Sequence, residues 1–542
     1  MRRERRYPQS KNNHNSTYHP MKRSFRHTPA SGRELVQQLM VLAATLAVIP
    51  AASADEVTGV KSYLVPTSTD YKIQPLLSVG EQVPNTSDPS KIYQMIGIPD
   101  GLGAHKLPCG NTALFMNHEL NNTVLSEPNL GGPLNRGAFI SRWVLGKTGC
   151  VISGQRAYDV VVDEANGLTL PAPQADNTTP GFGRFCSGSL SFREAGLDRP
   201  MYFTGEETDA SRSFDGKGGL AAVVFDRELH TLPKLGRFAW ENALVRPATG
   251  AQTVIMCMED GPTTPDNQLY MYVGPKSKTA GASVLSRNGL DTGKLYAFIA
   301  EAGAPTNEIA YTSGSVSGSW VEIPNADQLT EVQLEAASDA KGAFGFIRIE
   351  DGAWSKKDKN TFYFVTTGNG AGNRLGRLYE VKLDPKNILG KTTLKMVFNA
   401  DTVEAAGGDI AFAADNMEAS KDFLMINEDG HSDSRPKYAS RAREGSIWRF
   451  DLKNNFAATR VAELNPPGTV IAPGQSAPPA VPVPGTWESS GIIDTSHLFG
   501  RDTWLTVVQA HSPSLAPAPN TVEDGQLLLI MPTGESNDKG RH

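Results

Sequence analysis

The chain has 542 residues, is 39% hydrophobic and 20% charged, and carries 52 glycines, 36 prolines and a net charge of −6. That length allows several domains or one large repeat architecture. The composition suits a soluble, turn-rich, β-dominated globular protein rather than a disordered or membrane one.

The first element is a leader. Lys22, Arg23, Arg26 and Arg33 precede the apolar run 39–49, and Ala52-Ser-Ala54 follows as a small-residue cleavage pattern. This is the layout of a secretory signal peptide, with an apolar core too short to remain as an anchor. Residues 1–54 are therefore expected to be a signal peptide with a basic N-terminal extension, and 55–542 one domain that works in the periplasm or outside the cell. Met21 is an alternative start, and Lys22-Arg23-Ser24-Phe25 loosely resembles a twin-arginine export motif. The leader holds nine of the 52 basic and two of the 58 acidic residues, which leaves the mature chain 43 against 56, or −13. So acidic a chain is a poor nucleic-acid partner and a suitable cation binder. No later segment is apolar enough for stable membrane insertion.

Downstream, one pattern recurs six times: an apolar strand, a polar or acidic loop, and a second strand. The pairs are 113–119 with 138–145, 201–207 with 219–225, and 254–260 with 268–273. Then come 361–367 with 376–382, 423–429 with 445–450, and 504–511 with 526–531. A polar lead-in precedes most pairs: Phe185-Cys-Ser-Gly, Trp240-Glu-Asn-Ala, Arg348-Ile-Glu-Asp-Gly-Ala-Trp354, Asp415-Asn-Met-Glu418 and Glu488-Ser-Ser-Gly491. Strands in units of three or four, with almost no helical periodicity, predict an all-β, six-bladed β-propeller with long inserted loops. A β-sandwich is the alternative.

In a propeller, equivalent strand ends converge on the central channel. Glu206, Glu207, Glu259, Asp260, Glu428 and Asp429 leave strand ends, while Glu241, Glu350 and Asp351 stand in lead-ins. Carboxylates gathered in one cavity raise one another's pKa values unless cations neutralise them. An all-oxygen set suits calcium, and a thiolate beside carboxylates suits a transition metal. Taken singly, each Glu-Asp or Asp-Gly pair also reads as a solvated turn, and His118 and His511 as hydrogen-bonded structural residues. Asn369 ends its strand without an acid. Cys109 and Cys150 flank the first repeat and are candidates for a disulfide. Cys186, in a Gly-Ser turn, could present a thiolate to a metal, and Cys257 reads as a buried thiol.

The segment Arg348-Ile-Glu-Asp-Gly-Ala-Trp354, running into Phe362-Tyr-Phe-Val-Thr-Thr-Gly368, resembles the signature of PhoX-type alkaline phosphatases. Cys186 followed by Gly205-Glu-Glu207, the stretch 236–245, Asp415-Asn-Met and Asn427-Glu-Asp-Gly430 extend the likeness from about Leu114 to His511. The resemblance implies an exported, monomeric enzyme that hydrolyses small-molecule phosphomonoesters at a multinuclear Ca2+ and Fe3+ cluster. Carried over, Cys186 is an iron ligand; Glu206 or Glu207, Glu241, Glu259 or Asp260, and Glu350 are metal ligands; and Arg348 contacts phosphate. Asp351, Glu428 and Asp429 join the metal set, and Arg348 and Glu350 are the catalytic pair. Trp240 stands where that family is expected to have His, and Ile349 where it has Pro. The rival functions are a single-calcium lactonase or esterase propeller and a non-catalytic propeller stabilised by calcium.

Overall fold

Short apolar runs closed by Asn, Asp or Gly turns, such as Thr361–Thr366 and Gln252–Glu259, form strands because aromatic and β-branched side chains suit a pleated sheet. The computed structural model describes residues 58–430, 434–465, 483–513 and 520–534. Its strands pair into a succession of four-stranded antiparallel units. The first is Pro99–Lys106, Thr112–His118, Phe139–Leu145 and Val151–Arg156. The second is Phe185–Ser191, Met201–Glu206, Ala221–Phe225 and Glu228–Thr231. The third is Trp240–Val245, Gln252–Glu259, Tyr270–Pro275 and Lys294–Ala300. The fourth is Ile349–Trp354, Thr361–Thr366, Arg377–Lys382 and Thr392–Asn399. The fifth is Ala414–Ala419, Phe423–Glu428, Ser446–Asp451 and Ala457–Leu464. The sixth is Glu488–Asp494, Trp504–Pro513, Glu523–Pro532 and, from the other end of the chain, Tyr71–Ser78.

The first strands of successive units touch one another, and that of the sixth touches that of the first, so the ring closes. Apolar side chains fill the space between adjacent sheets. Phe203 and Val223 meet Ile255 and Tyr270 between the second and third units, and Leu114 and Trp143 meet Leu505 and Leu527 between the first and sixth. Sheets packed face to face around an axis are the all-β propeller architecture that the repeats predict.

Three features go beyond that reading. Tyr71–Ser78 pairs with Glu523–Pro532, so the N-terminal end supplies the outer strand that clasps the last sheet. Its alternation is broken by a register slip between Pro75 and Leu77, which hides it from a periodicity search. Ser315–Ile323 pairs with both Lys294–Ala300 and Thr392–Asn399, joining the third and fourth units into one nine-stranded sheet. The insertion between those units also holds the helix Glu331–Asp339, started by a Thr330–Gln333 capping box.

Cys257 is buried in the core, as expected, while Cys109 and Cys150 are separate thiols rather than a disulfide. No helix among the described residues is long and apolar enough to cross a membrane. The leader expected over 1–54 lies outside the described residues.

Candidate metal centre

The inner strands of five units open with the same irregularity. Their register slips between Pro99 and Leu102, Phe185 and Gly188, Trp240 and Ala243, Ile349 and Gly352, and Ala414 and Met417. A bulge re-aims the side chains at the slip; here those side chains include Asp100, Cys186, Glu241, Glu350 and Asp415. In the sixth unit the slip falls between Ser490 and Ile492, and Glu488 is the acid. The exits of five of the second strands are fixed as regularly. The amides of Glu119, Glu207, Asp260, Thr367 and Asp429 donate to the carbonyls of Ile98, Arg184, Ala239, Arg348 and Ala413, at 2.8 to 3.1 Å. The inner strands lie close: a Cβ on Gly101 would sit 2.2 Å from the amide nitrogen of Gly188, which only glycine avoids.

One or two residues from each unit thus converge on the axis. Asp100, Glu119 and Cys186 place one ligand atom each within 4.8 Å of the others, and so do Cys186, Glu207 and Glu241. Glu241, Glu350 and Asp415 form a third such group, and Asp415, Asp429 and Glu488 a fourth. The groups overlap, so eight carboxylates and one thiol form a continuous chain through five of the six units and into the sixth. Two arginines interleave with them. Arg348 reaches Glu350 at 2.8 Å, Asp429 at 3.1 Å and Asp260 at 3.2 Å. Arg184 reaches Glu119 at 2.5 Å and Glu207 at 2.6 Å.

Two guanidinium groups do not balance this much negative charge. Burial, and then the nearby Glu488, push Asp100 up to about 7. Burial lifts Glu119 to about 7 against the pull of Arg184. Burial also raises Glu241, Glu350 and Asp415, with carboxylate neighbours adding to it. The Cys186 thiol is pushed up by burial and then by Asp100, whose Oδ2 lies 3.2 Å from Sγ. Multivalent cations remove this penalty by favouring the ionised forms. The donor set fits them: Glu241 Oε2 is buried with no hydrogen-bond partner among the described residues. One thiol among carboxylates offers a transition-metal position, and the all-oxygen groups suit calcium.

The structure divides the residues singled out in the sequence. Cys186, Glu207, Glu241, Asp260, Glu350 and Asp429 gather around Arg348 and Arg184. Glu206, Glu259 and Glu428 are not brought into these groups, because successive strand residues face opposite ways. Glu206 instead accepts from the amides of Gly183 at 2.9 Å, Phe214 at 2.8 Å and Leu220 at 3.2 Å. Glu259 accepts from the Gln268 amide at 2.7 Å. Glu428 is held by Arg443, Trp448 Nε1 and the amides of Phe412 and Ser446. Asp351, next to Glu350, accepts from Asn242 Nδ2, Gly352 N and Met417 N, and so ties three inner strands together.

Four acids of the cluster and one arginine were not picked out from the sequence. Asp100 sits in Pro-Asp-Gly, which reads as a turn. Glu119, Asp415 and Glu488 end or begin recognised strands, and the repeat alignment was the signal that could have found them. Arg184 stands two residues before Cys186, as Arg348 does before Glu350. The two histidines are hydrogen-bonded. His118 bonds to Gly97 O and Ser141 Oγ, and Nδ1 of His511 lies 2.8 Å from Glu523. Against its burial, Glu488 and Glu523 hold the His511 imidazole up at about 10.

Comparison with known proteins agrees with this architecture. The family described as "Alkaline phosphatase PhoX" matches residues 226–465, a segment that includes Glu241, Asp260, Arg348, Glu350 and Asp429. No curated protein matches. Among solved structures, Pseudomonas fluorescens PhoX in complex with vanadate, a transition-state analogue, superimposes with a TM-score of 0.58 at 16% identity, over 88% of this chain and 98% of that one. Penicillium chrysogenum alpha-L-arabinanase, complexed with arabinobiose, gives 0.40 at 9% identity, over 84% and 98%.

Proposed function

Because residues 226–465 match the PhoX alkaline phosphatases, we propose that this chain is an exported, metal-dependent enzyme of that type, hydrolysing phosphomonoesters at its central channel. The observation that carries the reading is the cluster itself: a thiol and eight carboxylates in overlapping groups, with Arg348 set among them. Cys186, Glu207 and Glu241 would hold iron, and the oxygen-only groups running from Glu241 to Glu488 would hold calcium. Bound, these ions supply Lewis-acid polarisation of a phosphoryl group.

The chain's own residues do the rest. A phosphate dianion cannot approach so many carboxylates until cations reverse the local potential. The same neutralisation loosens the hold of Asp260 and Asp429 on Arg348. Its planar fork can then take two phosphoryl oxygens. Glu350, 2.8 Å from Nη2, keeps the guanidinium aimed at the channel. Glu350 is buried and the Arg348 side chain only 12% exposed, which strengthens these contacts by limiting water. The sequence holds no Gly-Lys-Ser phosphate loop, so phosphate recognition falls to these side chains.

The test is elemental analysis of the secreted protein, together with rates on an aryl phosphate monoester before and after exhaustive chelation. Iron with calcium, and a rate abolished by chelation, supports the assignment. Calcium alone with lactone or carboxylester hydrolysis supports the single-calcium rival. Phosphatase activity that survives complete metal removal rejects the metal-dependent reading. N-terminal sequencing of the same secreted material checks the leader: the expected first residue is Asp55.

A further inference from the structure

We propose that Arg184 is a second anion-binding arginine of this site, which grips the phosphoryl group together with Arg348. The inference rests on the phosphatase reading and adds a binding residue to it.

The two arginines occupy one structural position in two different units. Each stands two residues before the re-aimed side chain of its inner strand, Cys186 for Arg184 and Glu350 for Arg348. Each has a left-handed backbone, with φ of 45° at Arg184 and 53° at Arg348. Each carbonyl accepts the amide of the residue that leaves the second strand, Glu207 and Thr367 respectively. Ile98 and Ala413 repeat this conformation in the first and fifth units, both at φ 49°. A left-handed non-glycine residue is uncommon, and here it recurs at four of the five carbonyls that accept a strand-exit bond, Ala239 being the exception. In two of the four positions the side chain it carries is a guanidinium.

Arg184 is also the less committed of the two. Arg348 spreads Nε, Nη1 and Nη2 over Asp260, Asp429 and Glu350. Arg184 makes both of its ion pairs, to Glu119 and Glu207, through Nη2 alone. Its Nε is buried with no hydrogen-bond partner among the described residues. Its side chain is 38% exposed, against 12% for Arg348, so Arg184 is the more open of the two to solvent. Glu207, paired with Arg184, also lies in the field of Arg348, and Asp260, paired with Arg348, in that of Arg184, so the two arginines border neighbouring parts of one cluster. A monoester dianion or free orthophosphate has enough terminal oxygens for two forks. A diester has fewer, so the pair favours monoesters.

The experiment uses metal-loaded wild type, Arg184→Ala and Arg184→Lys. It measures metal content, KM and kcat on an aryl phosphate monoester, and orthophosphate binding by calorimetry. Arg184→Ala is expected to raise KM and weaken orthophosphate binding at least about tenfold, the loss typical of a charge-assisted hydrogen bond. Metal content should be unchanged, and Arg184→Lys should recover part of the affinity. Unchanged orthophosphate affinity with metals retained overturns the proposal. So does a loss of affinity that only tracks lost metal, since Arg184 would then serve only to hold Glu119 and Glu207. A wild type that binds orthophosphate through Arg184 but does not hydrolyse the monoester overturns the phosphatase reading and leaves the anion site standing.

Discussion

Glu206 and Glu207 are neighbours in sequence, and the structure gives them unrelated jobs. Consider Glu206→Gln and Glu207→Gln side by side. Glu206 is fully buried and offers Oε1 to the amides of Gly183 and Phe214 and Oε2 to that of Leu220. Glutamine keeps one acceptor oxygen and turns an amide NH2 toward the Leu220 N–H. One buried donor left unsatisfied costs about 1–3 kcal/mol. Glu207 holds no backbone amide among these bonds; its partner is Arg184, at 2.6 Å. The metal-free Glu207→Gln protein should therefore stay within about 1 kcal/mol of wild type. Denaturant titration of the chelated proteins measures these differences, and elemental analysis with phosphatase rates of the loaded proteins measures the rest. Glu206→Gln should be less stable yet retain metals and activity per folded molecule. Glu207→Gln should be stable but poor in metal and activity. The reasoning fails if Glu206→Gln loses metal at wild-type stability, or if Glu207→Gln is as destabilised as its neighbour while keeping its ions.

Cys186→Ala should lose the transition metal and activity but remain folded, because the apolar layers between sheets do not depend on it; full turnover with unchanged metal content would exclude the thiolate-ligand role. Asp524, buried and bonded to Tyr63 Oη at 2.8 Å, is pushed by burial up to about 6, above its unfolded value near 3.8. With the folded value raised, its full stability is present below pH 3.8 and is lost as pH rises through 6, by at most about 3 kcal/mol. Asp524→Asn should flatten stability across that window, and a slope identical to wild type in denaturant titrations at pH 4 and pH 7 would contradict this. Removing residues up to Ser78 takes away the strand that clasps Glu523–Pro532. The truncated chain should lose cooperative thermal unfolding, and a wild-type transition would show that the clasp is dispensable.

Much of the fold was legible because it is written locally. Runs such as Thr361–Thr366 and Phe423–Glu428 have strand composition and end in polar turns, so their existence follows from neighbouring residues alone. The lead-ins at Cys186, Glu241 and Glu350 were legible for the same reason, since an acid or thiol inside an apolar repeat stands out. Tyr71–Ser78 was not, because its partner lies more than four hundred residues away and its slip at Pro75 spoils the alternation. Asp100 was hidden by its Pro-Asp-Gly setting, and Cys109 and Cys150 were near enough in the repeat to suggest a bond that the structure does not make.

The sequence by itself determined that strands recur, that acids cluster at their ends, and that an arginine precedes an acidic lead-in. Only the tertiary structure decided which acids share a space. A strand's period of two dictates that Glu206 and Glu207, Glu259 and Asp260, and Glu428 and Asp429 face opposite ways, but not which member faces the channel. That depends on register, which the bulges and the bonds to Ile98, Arg184, Ala239, Arg348 and Ala413 set. Those bonds exist only once the first and second strands of each unit are side by side, and the metal groups only once neighbouring units have closed around the axis.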